Sequence, residues 1–352
     1  MERVTIKMKP TQMLTDIQGQ PDSLRQVFAH QIGAGAGELR GAAALLGSAH
    51  RIIFTGMGSS LSCAVPAARH LMAHGVCAEV LETSELLYFG LETIDSATVV
   101  VLISRSGETV EAVRVLPQLL ERGASVIGIT NVPDSAIARK ATCTIFINSL
   151  PDRMVAVQTY SASLAVLLFL ADAALGRPLD AWSALFEETC ALVATTIQSS
   201  IAESEDWVEF LSSATMVYLL GRGPSMASAL EGALMFNEAA RLPSSALSTA
   251  HFRHGPVEIV DSTLRAIVFA SQAATRNLDL ALATELQTMG AGVRVCEAPS
   301  SVAPFQPLVE IVPVQIAVCA LAISKNIDPG AFRFATLVTA TESGFQGPAA
   351  RG

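Results

Sequence analysis

Short apolar runs alternate with longer amphipathic segments along most of the chain. Runs of this kind are typical of strands buried on both faces, and their alternation with helical periodicity predicts parallel, doubly wound sheets. The strands predicted from these runs lie near residues 51–55, 77–81, 98–103, 125–130, 143–147, 216–220, 265–269, 292–296 and 309–312. The pattern therefore predicts an α/β fold with two doubly wound parallel-sheet subdomains in tandem, which bind ligands at the carboxyl ends of their strands.

The same pattern divides the chain into five parts. We expect a helical segment over 1–48, whose first long helix starts at Gln20-Pro21-Asp22-Ser23, and a first α/β domain over 49–178. A helical connector over 179–206, a second α/β domain over 207–326 and a tail over 327–352 follow. The tail is expected to fold back over the site or to end at the surface.

Two Gly-rich loops indicate that the two halves are related. Thr55-Gly56-Met57-Gly58-Ser59 follows a predicted strand in the first half, and Leu220-Gly221-Arg222-Gly223-Pro224 follows one in the second. Such a likeness, repeated after equivalent strands, is typical of an internal duplication.

The hexapeptide Ser104–Thr109 (Ser-Arg-Ser-Gly-Glu-Thr) joins the apolar run 99–103 to an amphipathic helix. Backbone N–H groups at a helix N-terminus have no intrahelical partners, so hydroxyls clustered there bind a phosphate dianion well. An ordinary capped strand-to-helix turn is the alternative interpretation. The equivalent stretch of the second half, 268–275, has no Ser-Gly-Glu-Thr, so we expect the first half to bind phosphate and the second to supply different chemistry.

Candidate catalytic groups lie in the second half. Glu231 and Glu238 are seven residues apart on an otherwise apolar helical pattern, which places both on one face with Met235 between them. A partly desolvated carboxylate there suits a general base, although a salt-bridged surface Glu is the alternative. His254 precedes Gly255-Pro256, a pair that favours a tight turn and presents the imidazole to a cleft.

Composition narrows the class of protein. The 352 residues carry a formal net charge of −9, which argues against a nucleic-acid partner. Mean hydropathy is +0.45, yet apolar runs such as 162–175 are shorter than the ~20 residues that a bilayer requires. The N-terminus, with Glu2, Arg3 and Lys7, does not resemble a signal peptide, so we expect a cytoplasmic protein. The six scattered cysteines predict buried, reduced thiols and no metal site.

These motifs, in this order, resemble the tandem SIS-domain sugar-phosphate isomerases, and above all the isomerase half of glucosamine-6-phosphate synthase. The residues that carry the resemblance are Met13–Ile17, Gln20-Pro21, Gly56–Ser60, Ser104–Thr109, Gly221–Gly223, Leu230–Leu234, Glu238, His254–Pro256 and Val312–Gln315. It implies SIS-type, flavodoxin-like subdomains that need no cofactor, and a homodimer that takes a sugar phosphate.

The resemblance also implies roles for individual residues. Ser60, Ser104, Ser106 and Thr109 would bind the phosphate, and Arg105, where the family has Gln, would add a contact or face solvent. Glu238 would move a proton between C1 and C2 of the sugar. His254 would assist ring opening, in the family often across a dimer interface, and Glu231 would be a supporting carboxylate.

Departures from the family pattern bear on the reaction. Thr336 stands where the family has the lysine that forms a Schiff base, and Met235 and Asn237 replace the lysines of the catalytic helix. The four lysines are Lys7, Lys9, Lys140 and Lys325, and none fits that place. The altered pattern at 154–160 gives no assignable sugar contact.

We also expect no glutaminase domain, so that glutamine is not the amine source. These departures favour a deaminase that converts glucosamine 6-phosphate to fructose 6-phosphate and ammonia. A fructosamine 6-phosphate deglycase and a non-catalytic sugar-phosphate sensor are the alternatives.

Overall fold

The computed structural model describes residues 8–343. Glu2, Arg3 and Lys7 of the predicted N-terminus, together with 344–352 of the predicted tail, lie outside the described residues. The described strands form two parallel sheets, with the order β2-β1-β3-β4-β5 in the first and β7-β6-β8-β9 in the second. The strands are β1 (Arg51–Gly56), β2 (Ala78–Glu82), β3 (Thr98–Ile103), β4 (Ser125–Thr130), β5 (Cys143–Phe146), β6 (Met216–Gly221), β7 (Ser244–Ser248), β8 (Leu264–Phe269) and β9 (Gly292–Cys296).

Helices connect the parallel strands. They are α1 (Gln12–Ile32), α2 (Ala36–Ser48), α3 (Ser59–Ser62), α4 (Val65–Ala73), α5 (Thr83–Glu85), α6 (Val110–Glu121), α7 (Ala136–Lys140), α8 (Gln158–Ala174), α9 (Ser183–Ala202), α10 (Ser204–Leu211), α11 (Met226–Met235), α12 (Thr249–Phe252), α13 (Arg276–Thr288), α14 (Gln306–Glu310) and α15 (Val312–Ser324). The first sheet has the 2-1-3-4-5 order of flavodoxin-like proteins, and the second repeats its first four positions. The predicted fold class, two doubly wound parallel sheets in tandem, is confirmed.

Contacts among the described residues divide the chain into two compact units. The first-sheet unit comprises residues 22–151, 158–184 and 332–343, and the second-sheet unit comprises 8–21, 152–157 and 185–331. The units are therefore interleaved in sequence, and the linear boundaries of our five-part division stay a prediction.

Each unit has its own core. In the first, all six residues of β3 are buried, and Val100 and Leu102 pack with Leu116 and Leu119 of α6. In the second, apolar residues of β8 pack with Leu220, Phe252 and Leu286. Burying such side chains contributes about 1.5–3 kcal/mol each, which is why these short runs specify strands so firmly.

The first long helix begins earlier than predicted. It starts at Gln12, because the Thr11 hydroxyl accepts a hydrogen bond from the Leu14 N–H at 3.1 Å. Pro21, which we took as the helix start, lies inside it. Proline cannot donate to the carbonyl of Ile17 four residues back, and the side-chain amide of Gln20 donates to that oxygen instead, at 3.2 Å.

The predicted strand near 309–312 is wrong. This stretch is helical, as the end of α14 and the start of α15. A short apolar run buried on every side has the same pattern in a strand and in a core helix, and Pro313 suits the first turn of a helix. Within the described part of the chain one stretch, Gln306–Ser324, is long and apolar enough to span a membrane, and 83% of its most apolar window is buried inside the protein.

The edge strand β7 was not predicted. Its sequence, Ser-Ser-Ala-Leu-Ser, lacks an apolar run because every residue in it is half-buried. It is specified by pairing with β6 in the register Leu219↔Ala246. An edge strand is paired on one side only, so it needs less apolar surface than a central one.

The six cysteines all lie within the described residues, and each is a reduced thiol. Cys63, Cys190, Cys296 and Cys319 are buried as predicted, whereas Cys77 is exposed. Burial raises the pKa of Cys296 to about 12, so this thiol is protonated at neutral pH. Between residues 8 and 343 no group of three or more His, Cys, Asp or Glu is placed to hold a metal ion.

Candidate active site

The predicted phosphate loop lies at the carboxyl edge of the first sheet, between β3 and α6. The end of β4 holds the loop in place, because the Ser104 N–H donates to Ile129 O at 3.0 Å and the Asn131 N–H donates to Arg105 O at 3.0 Å. The Thr130 hydroxyl donates to the same Arg105 oxygen at 3.1 Å. The loop is therefore a fixed part of the sheet edge.

Three hydroxyls of this loop, which we call the first cradle (Ser104, Ser106 and Thr109), lie close together. The Ser104 Oγ is 2.9 Å from Thr109 Oγ1 and 3.5 Å from Ser106 Oγ. The Gly107 N–H donates to Ser104 Oγ at 3.1 Å, and Thr109 is the N-cap residue of α6. Hydroxyls and amides thus meet at the N-terminus of a 12-residue helix, where the helix dipole favours an anion.

Gly107 and Glu108 give the first cradle its shape. Gly107 has a φ of +64°, and a Cβ placed on it would lie 2.1 Å from Ser135 Oγ, so no other residue fits. The Glu108 carboxylate turns away from the hydroxyls and accepts from the Ala136 N–H at 2.7 Å. The acidic residue of the hexapeptide therefore fastens the loop to α7 and leaves the hydroxyls to a ligand.

Ser60 lies in the neighbouring loop, after β1. This strand pairs with β3, so both loops flank the crevice where the strand order reverses. Gly56 allows the turn, because a Cβ there would lie 2.8 Å from the backbone carbon and oxygen of Ser60. The Ser60 side chain is half-buried, and the pairing of β1 with β3 brings its loop beside the first cradle.

The described part of the tail runs along this edge of the first-sheet unit. The Arg105 guanidinium donates to Leu337 O at 3.1 Å, and the Val110 N–H donates to Thr339 O at 3.0 Å. The tail therefore folds back over the predicted phosphate loop, which is one of the two outcomes we expected. Arg105 contacts the tail instead of facing solvent.

The tail has a second attachment and contains the residue at the expected lysine position. Glu342 accepts hydrogen bonds from Arg114 and Tyr88. Thr336 is exposed and donates its hydroxyl to Val338 O at 2.7 Å. The position thus lies in an irregular, surface-lying segment of the tail.

The two candidate carboxylates of the second-sheet unit differ in environment. Glu231 lies in α11 and is fully buried, whereas Glu238 is half-buried in a π-helical turn, Phe236–Ala240. The helix therefore changes from α to π between the two residues, and their shared face stays a prediction. The wider turn begins at Phe236 and is capped by Arg241, which has a φ of +51°. Turns of this kind often occur at functional sites.

His254 lies in a turn after α12 and is exposed. Its N–H donates to His251 O at 2.9 Å, and Gly255 follows with a φ of +123° before Pro256 starts a short 3-10 helix. The tight turn predicted from the His-Gly-Pro sequence is confirmed. In the single chain the imidazole faces outward.

A second group of hydroxyls lies at the carboxyl edge of the second sheet, and sequence reasoning did not identify it. Ser225, Ser228 and Ser271, which we call the second cradle, all donate to the carboxylate of Glu310. Glu310 lies within the apolar run that we interpreted as a strand, so it was not identified as a candidate site residue. Ser225 was detectable, because it occupies the place in the second Gly-rich loop that Ser60 has in the first.

A buried ion pair supports the same edge. Arg222 contacts the fully buried Asp279 at 3.2 Å, and Asp279 accepts from the Thr249 hydroxyl at 2.6 Å and from the Thr275 hydroxyl at 2.8 Å. The carboxylate is therefore paired and fully hydrogen-bonded, as a buried charge must be. It fixes the loops after β6, β7 and β8 to one another.

The predicted site residues are thus distributed over two units. Ser60, Ser104, Arg105, Ser106 and Thr109 belong to the first-sheet unit, and Glu231, Glu238 and His254 belong to the second-sheet unit. The roles that the family resemblance implies for these residues stay predictions.

Two doubly wound sheets in one chain, each with hydroxyl-rich loops at the crevice where its strand order reverses, define a tandem α/β protein. Residues 45–173, which include the whole first sheet, match the SIS domain family. The resemblance to tandem SIS-domain sugar-phosphate isomerases is confirmed.

Known relatives agree with this assignment. The chain is 28% identical over 336 residues to a glutamine–fructose-6-phosphate aminotransferase [isomerizing] of Pyrococcus horikoshii, covering 90% of this chain and 55% of that protein. The chain spans about half the length of the curated relatives it matches.

Solved structures show the same fold. The C-terminal domain of a glucosamine-fructose-6-phosphate aminotransferase from Francisella tularensis superposes with a TM-score of 0.78 at 20% identity, covering 90% of this chain and 97% of that one. A glucosamine-6-phosphate deaminase from Thermotoga maritima gives 0.73 at 20% identity, covering 93% and 99%.

Proposed function

We propose that the protein is a sugar-phosphate isomerase that acts as an amino-sugar-phosphate deaminase, with glucosamine 6-phosphate as substrate. The observation that carries the proposal is the first cradle, in a chain whose relatives along 90% of its length are fructose-6-phosphate aminotransferases. Hydroxyls and backbone N–H groups at the start of α6 suit a phosphate dianion, because they supply donors without a metal ion. Ser60, Ser104, Ser106 and Thr109 would hold the phosphate, and Arg105 would add a charge beside it.

The reaction requires one proton transfer and one hydrolysis. With the sugar ring open, Glu238 would take the proton from C2 and the resulting enaminol would be reprotonated at C1, which gives an imine at C2. Water would add to C2 and ammonia would leave, so that glucosamine 6-phosphate and water yield fructose 6-phosphate and ammonia. The half-buried carboxylate of Glu238 suits the role of general base, since it is accessible and yet partly shielded from water.

His254 and Glu231 would have supporting roles. His254 would protonate the ring oxygen during opening, and its exposure in the single chain supports an active homodimer in which a second copy uses it. Glu231 would act as the supporting carboxylate that the family resemblance implies. A cytoplasmic location and a small-molecule partner belong to the same proposal.

The tail favours amine release over amine transfer. A covalent imine with the enzyme requires a primary amine, and the expected position carries the hydroxyl of Thr336. Of the chain's lysines, Lys140 ends α7 and Lys325 follows the last residue of α15. A substrate that brings its own nitrogen needs no such lysine.

The test is release of ammonia and fructose 6-phosphate from glucosamine 6-phosphate by the purified protein. N-acetylglucosamine 6-phosphate and a fructosamine 6-phosphate are assayed in parallel. We expect both products from the free amine alone. Release only from the fructosamine phosphate would make the protein a deglycase, and tight binding without turnover of any of them would make it a sensor.

A matched pair of variants tests the base. Glu238→Gln should lower kcat by at least about 100-fold, as expected for loss of a general base, while binding of the sugar phosphate is kept. Glu209→Gln, an equal change at an exposed position of α10, should leave kcat unchanged. Unchanged turnover in Glu238→Gln would remove this residue from the mechanism.

A further inference from the structure

The second cradle occupies the same place in its sheet as the first cradle in the other sheet. Strand β6 pairs with β7 and β8 as β1 pairs with β2 and β3, so the loops after β6 and β8 flank the second switch point. The turns also agree in detail. A Cβ on Gly221 would lie 2.8 Å from the Ser225 oxygen, and one on Gly56 would lie 2.8 Å from the Ser60 oxygen. Ser225 and Ser60 are therefore structural equivalents.

Three hydroxyls of the second cradle converge on one carboxylate. Ser225 donates to Glu310 Oε2 at 3.1 Å, Ser228 donates to Oε1 at 2.7 Å, and Ser271 donates to Oε2. Ser225 and Ser271 come from the two loops that flank the switch point. Glu310 reaches them from the end of α14 and is only 1% exposed.

Neighbouring donors fix the direction of these hydrogen bonds. The Gln272 side-chain amide donates to Ser225 Oγ at 3.1 Å, and the Ala298 N–H donates to Ser271 Oγ at 2.8 Å. Because the Ser225 and Ser271 oxygens each already accept a hydrogen bond from another group, their own hydrogens are directed at the carboxylate. The hydroxyls are thus arranged to donate to an anion.

We propose that the second-sheet unit has kept an anion site at its switch point and that the carboxylate of Glu310, from the same chain, occupies it. The class of ligand that this site accepts is a small carboxylate or a phosphate, bound by hydroxyl donors. In the intact protein the internal carboxylate excludes such ligands and holds the loops after β6 and β8 together without them. Of the two switch points that the structure describes, the one in the first sheet is then the one left open to external anions.

Removing the side chain reopens the site. Glu310→Ala leaves a space lined by three hydroxyl donors, into which formate or acetate fits. Unfolding temperature is measured at neutral pH against sodium acetate and sodium formate, with sodium chloride at equal ionic strength as the salt control. We expect a saturable upward shift with either carboxylate in Glu310→Ala and none beyond the chloride control in the unmutated protein.

Leu308→Ala is the matched control variant. Leu308 is also fully buried on α14, and its truncation makes a cavity without removing a charge. Acetate should not stabilise it beyond chloride. Equal stabilisation of the two variants, or none in Glu310→Ala, would overturn the proposal.

Phosphate is tested separately from the first cradle. In a Ser104→Ala background, inorganic phosphate should stabilise the Glu310→Ala protein saturably and more strongly than the protein with Glu310 intact. Equal effects of phosphate with and without Glu310 would contradict the idea that the carboxylate excludes anions.

Two conservative variants keep the proposal testable if Glu310→Ala does not fold. Glu310→Asp keeps the negative charge on a shorter side chain, whereas Glu310→Gln keeps the length and places an amide N–H₂ group against hydroxyl donors. The proposal predicts a higher unfolding midpoint for Glu310→Asp than for Glu310→Gln at pH 7.5. The reverse order would show that volume and not the anion matters at this position.

Discussion

The loops at the switch points of the two sheets have similar backbone turns, but their hydroxyls hydrogen-bond to different partners. In the first cradle, Ser104 bonds to Thr109 and Ser106, and the nearest acidic residue, Glu108, is turned towards α7. In the second cradle, three serine hydroxyls donate to Glu310. At the same position the hydroxyls thus bond to one another in one sheet and to an internal carboxylate in the other.

Because of this difference, we expect the first cradle to contribute to ligand binding and the second to contribute to stability. Donors that hydrogen-bond to one another lose little when a phosphate takes them over, because they exchange one set of hydrogen bonds for another. Hydroxyls that surround a buried carboxylate cannot exchange partners in this way. Removing either the hydroxyl or the carboxylate leaves buried polar groups without hydrogen bonds. We therefore expect substitutions in the first cradle to affect ligand affinity and equivalent substitutions in the second to affect folding.

The largest effect is expected for Gly107→Ala. The added methyl group would lie 2.1 Å from Ser135 Oγ at a φ of +64°, so the loop must move. We expect a loss of about 2–4 kcal/mol in the free energy of unfolding, from overpacking and backbone strain, and no measurable binding of sugar phosphate. Urea unfolding and titration calorimetry measure the two quantities.

Gly223→Ala in the second Gly-rich loop is the control for this change. Its φ is +55°, but a Cβ there would meet nothing within 4 Å. It should cost only the left-handed backbone strain, about 1 kcal/mol, and leave phosphate binding intact. Similar losses in the two variants would show that backbone strain, and not the contact with Ser135, determines the effect.

Effects of intermediate size are expected for two serines, one from each cradle, and the two substitutions should change different properties. Ser104→Ala should weaken sugar-phosphate binding by about 10- to 100-fold, the value of one charge-assisted hydrogen bond, and change stability by less than about 1 kcal/mol. Ser271→Ala should lower stability by about 1–3 kcal/mol, because Glu310 loses a donor and the Ala298 N–H loses its acceptor, and leave binding unchanged. If both variants affect the same property, the contrast between the cradles is wrong.

The smallest effect is a pH dependence of stability. Burial raises the pKa of Glu310 above its ordinary value of 4.5, and although the three serines lower it, the burial effect is larger. The folded protein therefore keeps a proton that the unfolded chain has already lost, so stability falls as the pH rises from about 4.5 through the folded-state pKa and is then constant. The slope is at most about 1.4 kcal/mol per pH unit.

Urea unfolding at several pH values, with Glu310→Gln as the reference, isolates this contribution. The difference in unfolding free energy between the two proteins should decline as the pH rises from about 4.5 and then level off. A decline that continues beyond pH 7.5 would mean that Glu310 is a neutral acid at physiological pH, and the analogy with a bound anion would fail.

The apolar pattern along the chain was enough to predict the architecture. All five strands of the first sheet and three of the four in the second lie where the apolar runs predicted them, because each buried strand must be saturated with apolar residues. The Ser-Arg-Ser-Gly-Glu-Thr loop and the His-Gly-Pro turn were also predictable, since both depend on backbone conformations and helix ends that short sequences specify.

The remaining features depend on contacts between segments that are distant in the chain. Pro21 lies within a helix because the Gln20 side chain replaces a missing hydrogen bond, and Ser244–Ser248 is a strand because β6 pairs with it. Glu310 lies in an apolar run that fits a strand or a core helix equally well, and its partners are 39 to 85 residues away in the chain. Contacts between distant segments leave no local pattern, because they depend on which surfaces the folded core brings together.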